Sequence, residues 1–129
     1  MADTYSDIAL DHFKNPRNVG EMKDASVVGK AENPASGASL ELYLRFAGQG
    51  RIIEKATFKA HGCTATIAAG SVVTELLPGR TLADGVVSRD ELAEALGGLP
   101  PARKHAYRLV TDAIHSAVAH QGRSMIETA

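Results

Sequence analysis

The segment KAHGCTATIAAG, Lys59 to Gly70, holds the single cysteine of the 129-residue chain, Cys63, two residues after His61. A thiol placed where an extended run gives way to a helical one lies near free backbone N–H groups and the positive end of the helix dipole. Both favour the thiolate, the form that attacks electrophiles and binds metal ions. The competing reading is packing, since a free cysteine behaves as a small buried hydrophobe. If the chain is still extended at His61, that imidazole points to the same side as Cys63 and the two can share a metal ion. His105, beside Arg103 and Lys104, is a further candidate ligand near the start of the last helical segment. The loop NPASGAS brings Ser36 or Ser39 into consideration, although Ser, Gly and Pro runs are ordinary turn formers. His12, His115 and His120 read as solvated, on helix surfaces or near the tail. The chain has no Ser-His-Asp spacing, Walker loop or GxGxxG motif, so nucleotide chemistry has no support.

These side chains must be positioned by the elements around them. In YSDIALDHFKNP, Thr4 or Asp3 can cap a short helix whose apolar stripe is Tyr5, Ile8, Leu10 and Phe13, ended by Asn15 and Pro16. ASVVGKA is extended enough for a first strand among loops. SLELYLRFAG alternates, with Leu40, Leu42, Leu44 and Phe46 on one face and Glu41, Tyr43 and Arg45 on the other, the period of a half-buried strand. After a turn at Gln49 and Gly50, RIIEKATFKAHG resumes the extended pattern, so the two runs form a hairpin in an antiparallel sheet with one wet face. TATIAAGSVVTELLPG is small or apolar almost throughout and reads as a buried helix stopped at Pro78-Gly79. Ser88 and Glu91 form a capping box for a short helix that ends at Gly97-Gly98. Pro100 and Pro101 suit the first turn of a long helix whose core side is Tyr107, Leu109, Val110, Ile114, Ala117 and Val118. Strands first and helices after them imply an α+β fold, about three antiparallel strands with the helices packed on one face.

The length suits one domain, 1–129, with 1–3 and 121–129 expected to fray. Fourteen basic and fifteen acidic side chains leave a formal net charge of −1. No global field draws the chain to nucleic acid or to an anionic membrane, and no run approaches the roughly 18 apolar residues of a membrane span. A single cysteine excludes an internal disulfide and any CxxC motif, which fits a reducing compartment, and the expectation is a cytoplasmic protein.

In order, YSDIALDHFKNPRNVG, NPASGAS, ATFKAHGCTATIAAGSVVTELLPGRTL and LPPARKHAYRLVTDAI resemble the NifU/IscU-type iron-sulfur cluster assembly scaffold family, from Tyr5 to about Ala119. The resemblance implies that family's fold and a surface pocket ringed by three cysteines, in A-C-G-D, G-C and H-C steps. Here Ser36 stands at the first cysteine position and Ala38 at the aspartate position, Cys63 is the second cysteine, and His105 matches the histidine of the last pair while Ala106 replaces its cysteine. The implied metal ligands are therefore Cys63 and His105, with His61 and Ser36 as weaker extras. Iron-sulfur clusters are held by thiolates with occasional histidine, so this set is small for one chain. Two chains presenting Cys63 and His105 twice would form an S2N2 set suited to a [2Fe-2S] cluster, iron or zinc.

The resemblance further implies a carrier rather than an enzyme, handing iron or a transient cluster to apo iron-sulfur proteins, with a cysteine desulfurase and an Hsp70-type chaperone system as partners and a homodimer as one assembly. Leu99, Pro100, Pro101, Ala102 and Arg103 resemble the family's chaperone-recognition segment, though Pro-Pro at a helix start is also ordinary capping chemistry. Two alternatives stand beside this expectation. One is an interaction paralogue without metal that binds desulfurase, chaperone or scaffold. The other is a persulfide relay through Cys63.

Overall fold

A computed structural model describes residues 4–47, 52–81 and 87–128. Its elements run α1 Asp7–Lys14, β1 Val27–Asn33, β2 Ala38–Phe46, β3 Ile53–His61, α2 Thr64–Leu76, α3 Arg89–Leu96 and α4 His105–Thr128, with a 3-10 turn at Pro101–Arg103. The strands form one antiparallel sheet in the order β1-β2-β3. The chain is thus α+β with three strands, as the alternation in β2 requires. The expected turn at Gln49 and Gly50 lies outside the described residues.

Register puts Leu40, Leu42 and Leu44 of β2 on the same face as Val27 and Gly29 of β1 and Ala56 and Phe58 of β3. Helices α2 and α4 cover that face, α4 mainly on β1 and α2 mainly on β3. Two glycines set the closeness of approach. A Cβ on Gly29 would stand 2.0 Å from the Ala113 carbonyl oxygen, and one on Gly70 would stand 2.6 Å from the Phe58 ring. This explains why α2 is built from small residues: Ala65, Ala68, Ala69, Gly70 and Ser71 are all buried in it, and the helix lies flat on the sheet.

The other sheet face is less open than the alternation suggests. Gly20 donates to Phe58 O at 2.8 Å on the β3 edge, and Ser26 donates to Leu44 O at 2.7 Å where β1 begins. Residues 20–26 therefore cross from one edge to the other. Met22 is buried in that crossing, Arg45 pairs with Asp24 at 2.7 Å, and Tyr43, expected on the wet side, is buried beside its buried cross-strand neighbour Thr57.

The first helix corrects the expectation in two ways. Its N-cap is Ser6, whose Oγ accepts from Ala9 N at 3.0 Å, rather than Thr4; Asp3 lies outside the described residues. Its buried face is Ala9 and His12, while Ile8 and Phe13 of the expected stripe are exposed. The reason is polar: Ser6 Oγ donates to Leu96 O, and His12 Nδ1 lies 2.7 Å from the buried Ser71 Oγ. The helix is fastened through hydrogen bonds, so its apolar spacing does not report its inner face.

Ser88 caps α3 through Glu91 N at 3.1 Å, and Gly97 closes it at φ 71°, both as the capping signals require. Pro101 opens the separate 3-10 turn instead of lying inside α4, which starts at His105 and, extending to Thr128, takes in most of the segment expected to fray. Among the described residues, no helix is long and apolar enough to cross a membrane.

Candidate functional site

Cys63 is the N-cap residue of α2, with extended backbone at φ −84° and ψ 179°. Gly62, at φ 152°, turns the chain off the end of β3 into this position. A Cβ there would stand 2.9 Å from Thr66 Oγ1 and 3.1 Å from the Ala38 methyl carbon, so the corner needs glycine for conformation and for space. The thiol is half-buried, with Sγ 3.7 Å from the hydroxyl oxygen of Thr66, one helical turn on. Burial pushes the Cys63 thiol up. The backbone N–H and hydroxyl of Thr66, the N–H of Ala65 and the charge of Arg103 outweigh it and hold the thiol below its ordinary range. The expected thiolate-favouring environment is therefore present, and Thr66 is a contributor that the sequence reading missed. A hydroxyl residue three positions after the cysteine, one helical turn on, was the available signal.

Ser36 lies in the tight turn between β1 and β2. Gly37 N donates to Asn33 O at 2.8 Å, Asn33 Oδ1 accepts from Ala35 N at 3.1 Å, and the exposed Ser36 Oγ accepts from Ala38 N at 3.2 Å. Ala38 is buried facing the Gly62 corner, so a packed methyl group occupies the position to which the resemblance gives an aspartate. His61 pairs with Ser39 across the strands and lines a shallow cleft with Ser39, Glu41 and Lys59. That cleft is on the sheet face opposite α2, so the turn at Gly62 parts the two side chains expected to share one side. His115 and His120 are exposed, as expected. His12 is not: it is 6% exposed and belongs to the α1–α2 contact.

His105 opens α4 and is half-buried. It lines a cleft of about 210 Å3 with Glu32 and Asn33 at the end of β1, with Pro34 of the turn that follows, and with Arg108, Leu109 and Asp112 of its own helix. Ala38, where β2 begins after that turn, packs at the Gly62 corner before Cys63, and Asn33 and Pro34 line the cleft of His105. Just upstream, Leu99 and Pro100 are buried, Pro101 and Ala102 are exposed, and Arg103 donates its N–H to Pro100 O at 2.8 Å. Ala106, at the position of the last cysteine, is fully buried in the core.

The donors on one chain do not fit a complete metal centre. Among the described residues no three His, Cys, Asp or Glu side chains gather as a group that could hold an ion. The chain's one thiol stands at the β3–α2 corner and the His105 imidazole at the start of α4, and the fully buried Ala106 and the buried Ala38 offer no donor.

A family model described as NifU-like N terminal domain matches residues 4–126. The chain is 42% identical over 115 residues to the iron-sulfur cluster assembly scaffold protein IscU 1 of Archaeoglobus fulgidus, covering 88% of this chain and 74% of that protein. It is 40% identical over 119 residues to the iron-sulfur cluster assembly scaffold protein IscU of Escherichia coli K12, covering 89% and 91%. The fold matches the crystal structure of a nitrogen-fixing NifU-like protein (N-terminal) from Brucella abortus at a TM-score of 0.72 and 16% identity, over 96% of this chain and 95% of that one.

Proposed function

The chain belongs to the family of NifU-like N-terminal domains, and on that footing we propose that it is a scaffold in iron-sulfur cluster assembly. Its cargo is iron or a transient [2Fe-2S] cluster, with zinc a further ion that sulfur and imidazole accept, and it hands that cargo to apo iron-sulfur proteins. It works as a carrier, through binding and release rather than turnover. Cys63 and His105 are the residues assigned to the cargo, with exposed Ser36 and His61 as accessory donors.

The observation that carries this reading is the setting of Cys63. The sole thiol sits at a helix N-cap, partly exposed, with two N–H groups, a hydroxyl and an arginine charge holding it towards the thiolate. A thiolate is what receives sulfur or ligates iron, and a cysteine kept only for packing has no need of those neighbours. The segment Leu99 to Arg103 offers exposed Pro101 and Ala102 to an Hsp70-type chaperone, and a cysteine desulfurase is the matching source of sulfur. A free thiolate calls for a reducing compartment, for which the cytoplasm is our assignment.

Anaerobic reconstitution with iron and sulfide tests the reading. Wild-type chain should develop a visible chromophore that Cys63→Ala does not, and should pass it to an apo-ferredoxin. Absence of any cysteine-dependent chromophore rejects cluster carriage.

A further inference from the structure

Independently of the cargo, we propose that the outer edge of β1 docks an extended segment of a protein partner, one carrying a lysine or arginine, as a fourth strand between β1 and α4. Successive residues of an antiparallel strand turn their N–H and C=O groups to opposite neighbours. Lys30 donates its N–H to Ser116 Oγ at 3.1 Å, and Val28 O lies 2.7 Å from His120 Nδ1, so Val28, Lys30 and Glu32 face away from β2. Side chains of α4 thus cover this edge as far as the Lys30 N–H. There the cover ends. The Lys30 C=O and both main-chain groups of Glu32 point the same way, and among the described residues no group of α4 bonds to them. The opposite edge differs. Phe58 of β3 bonds to Asn18 O at 3.0 Å and Gly20 N at 2.8 Å, and Ile53 bonds to Arg80 O at 2.8 Å and Gly79 N at 2.7 Å. That edge is closed by main chain, whereas the uncovered groups of β1 are a template for strand addition.

The uncovered stretch is also where strand and helix part. The cleft of about 210 Å3 has Glu32 to Pro34 as one wall and α4 between His105 and Asp112 as the other. A groove of this kind offers main-chain bonds from the strand and side-chain contacts from the helix. Its charge selects the occupant. Glu32 is exposed and pairs with no cation among the described residues, and Arg108 Nε comes only to 3.8 Å from Asp112, beyond hydrogen-bond distance. Lys30 is directed to Glu41, 4.0 Å away on the sheet face. Counting histidine as neutral, two carboxylates against one guanidinium leave the groove net negative, so a cationic side chain is favoured and an acidic one repelled.

The probes are acetylated, amidated heptapeptides of alternating threonine and valine with a central lysine or glutamate, and the lysine peptide with its backbone amides N-methylated. Binding to the full chain is followed by fluorescence anisotropy and by amide shifts in two-dimensional NMR. The lysine peptide should bind saturably, with shifts gathered on β1 from Lys30 to Asn33 and on α4 from His105 to Asp112. The glutamate peptide should bind about fivefold more weakly, and so should the N-methylated one, which has lost its main-chain donors. Glu32→Gln should narrow the gap between the lysine and glutamate peptides. Glu32→Pro removes an edge N–H and leaves the β1–β2 ladder intact, so it should weaken the lysine peptide about fivefold with unchanged circular dichroism. No binding of any peptide at about 1 mM, shifts gathered elsewhere, or equal affinity for the lysine peptide and either of the other two overturns the proposal. A chain that ignores the peptides yet builds a cysteine-dependent chromophore defeats this proposal and leaves the scaffold reading standing. Peptide binding without a chromophore does the reverse.

Discussion

His12 Nδ1 stands 2.7 Å from Ser71 Oγ, in a buried contact that closes α1 onto α2. Ser71 Oγ also accepts the N–H of Arg17 at 2.9 Å, so one hydroxyl ties the imidazole of α1 and the backbone that follows α1 to α2. The other ring nitrogen, Nε2, lies 3.4 Å from the Glu75 carboxylate.

The pH dependence of stability follows from this contact. Burial, then the Arg17 charge, hold the His12 pKa below its ordinary value, against the opposing pull of Glu75 and Asp11. A histidine with a depressed folded pKa binds more protons when unfolded, so its contribution is complete above about pH 6.5 and is lost as pH falls through the folded value. Urea unfolding should show stability falling between pH 7 and pH 5. In His12→Asn that slope should largely disappear, with an overall loss of about 1–3 kcal/mol from the disturbed buried contact. An unchanged slope in the variant contradicts the assignment.

Thr66 should control the reactivity of Cys63. Removing its hydroxyl in Thr66→Val takes away one of the groups that hold the thiol down. The midpoint of the alkylation rate against pH should rise, while Thr66→Ser should stay near wild type. Iodoacetamide kinetics measure this, and equal midpoints for all three proteins rule the role out.

Gly29 is fixed by its neighbour helix. An added methyl meets the backbone of Ala113 and Ala117, which cannot rotate away. Gly29→Ala should destabilise the protein by about 3 kcal/mol in urea unfolding, through separation of α4 from β1. Gly37→Ala, at a positive φ of 77° with open space around it, should cost about 1 kcal/mol from backbone strain alone.

Restoring a thiol should change how the metal is held. Ser36 is exposed, so Ser36→Cys should fold with a stability within about 0.5 kcal/mol of wild type. With a second sulfur on the turn before β2, cobalt(II) should bind more tightly and its thiolate-to-cobalt absorption should grow relative to wild type. A titration with unchanged affinity and absorption shows that residue 36 does not reach the metal.

Much of this was legible in the chain because it is set by neighbours in sequence. The period of two in Leu40 to Phe46 made β2, Ser88 and Glu91 marked the start of α3, and Gly62-Cys63 marked the corner where an extended run becomes a helix. The thiolate-favouring position of Cys63 belongs to the same class, since free N–H groups at a helix start are a local property. The motifs and their order likewise pointed to the family.

Other features depend on what the chain meets after folding. His12 looks like a surface residue until α2 places Ser71 against it, and Tyr43 looks solvated until residues 20–26 cross the sheet above it. His61 and Cys63 looked paired because alternation was extended one residue too far; Gly62, at positive φ, breaks it. The sequence by itself determined the elements and the donor types, because hydrogen bonds within helices and between alternating strands read adjacent residues. Which side chains are enclosed, and that Ala38 packs at the Gly62 corner while Asn33 and Pro34 line the cleft of His105, was decided by tertiary packing, where contacts join residues far apart in the chain.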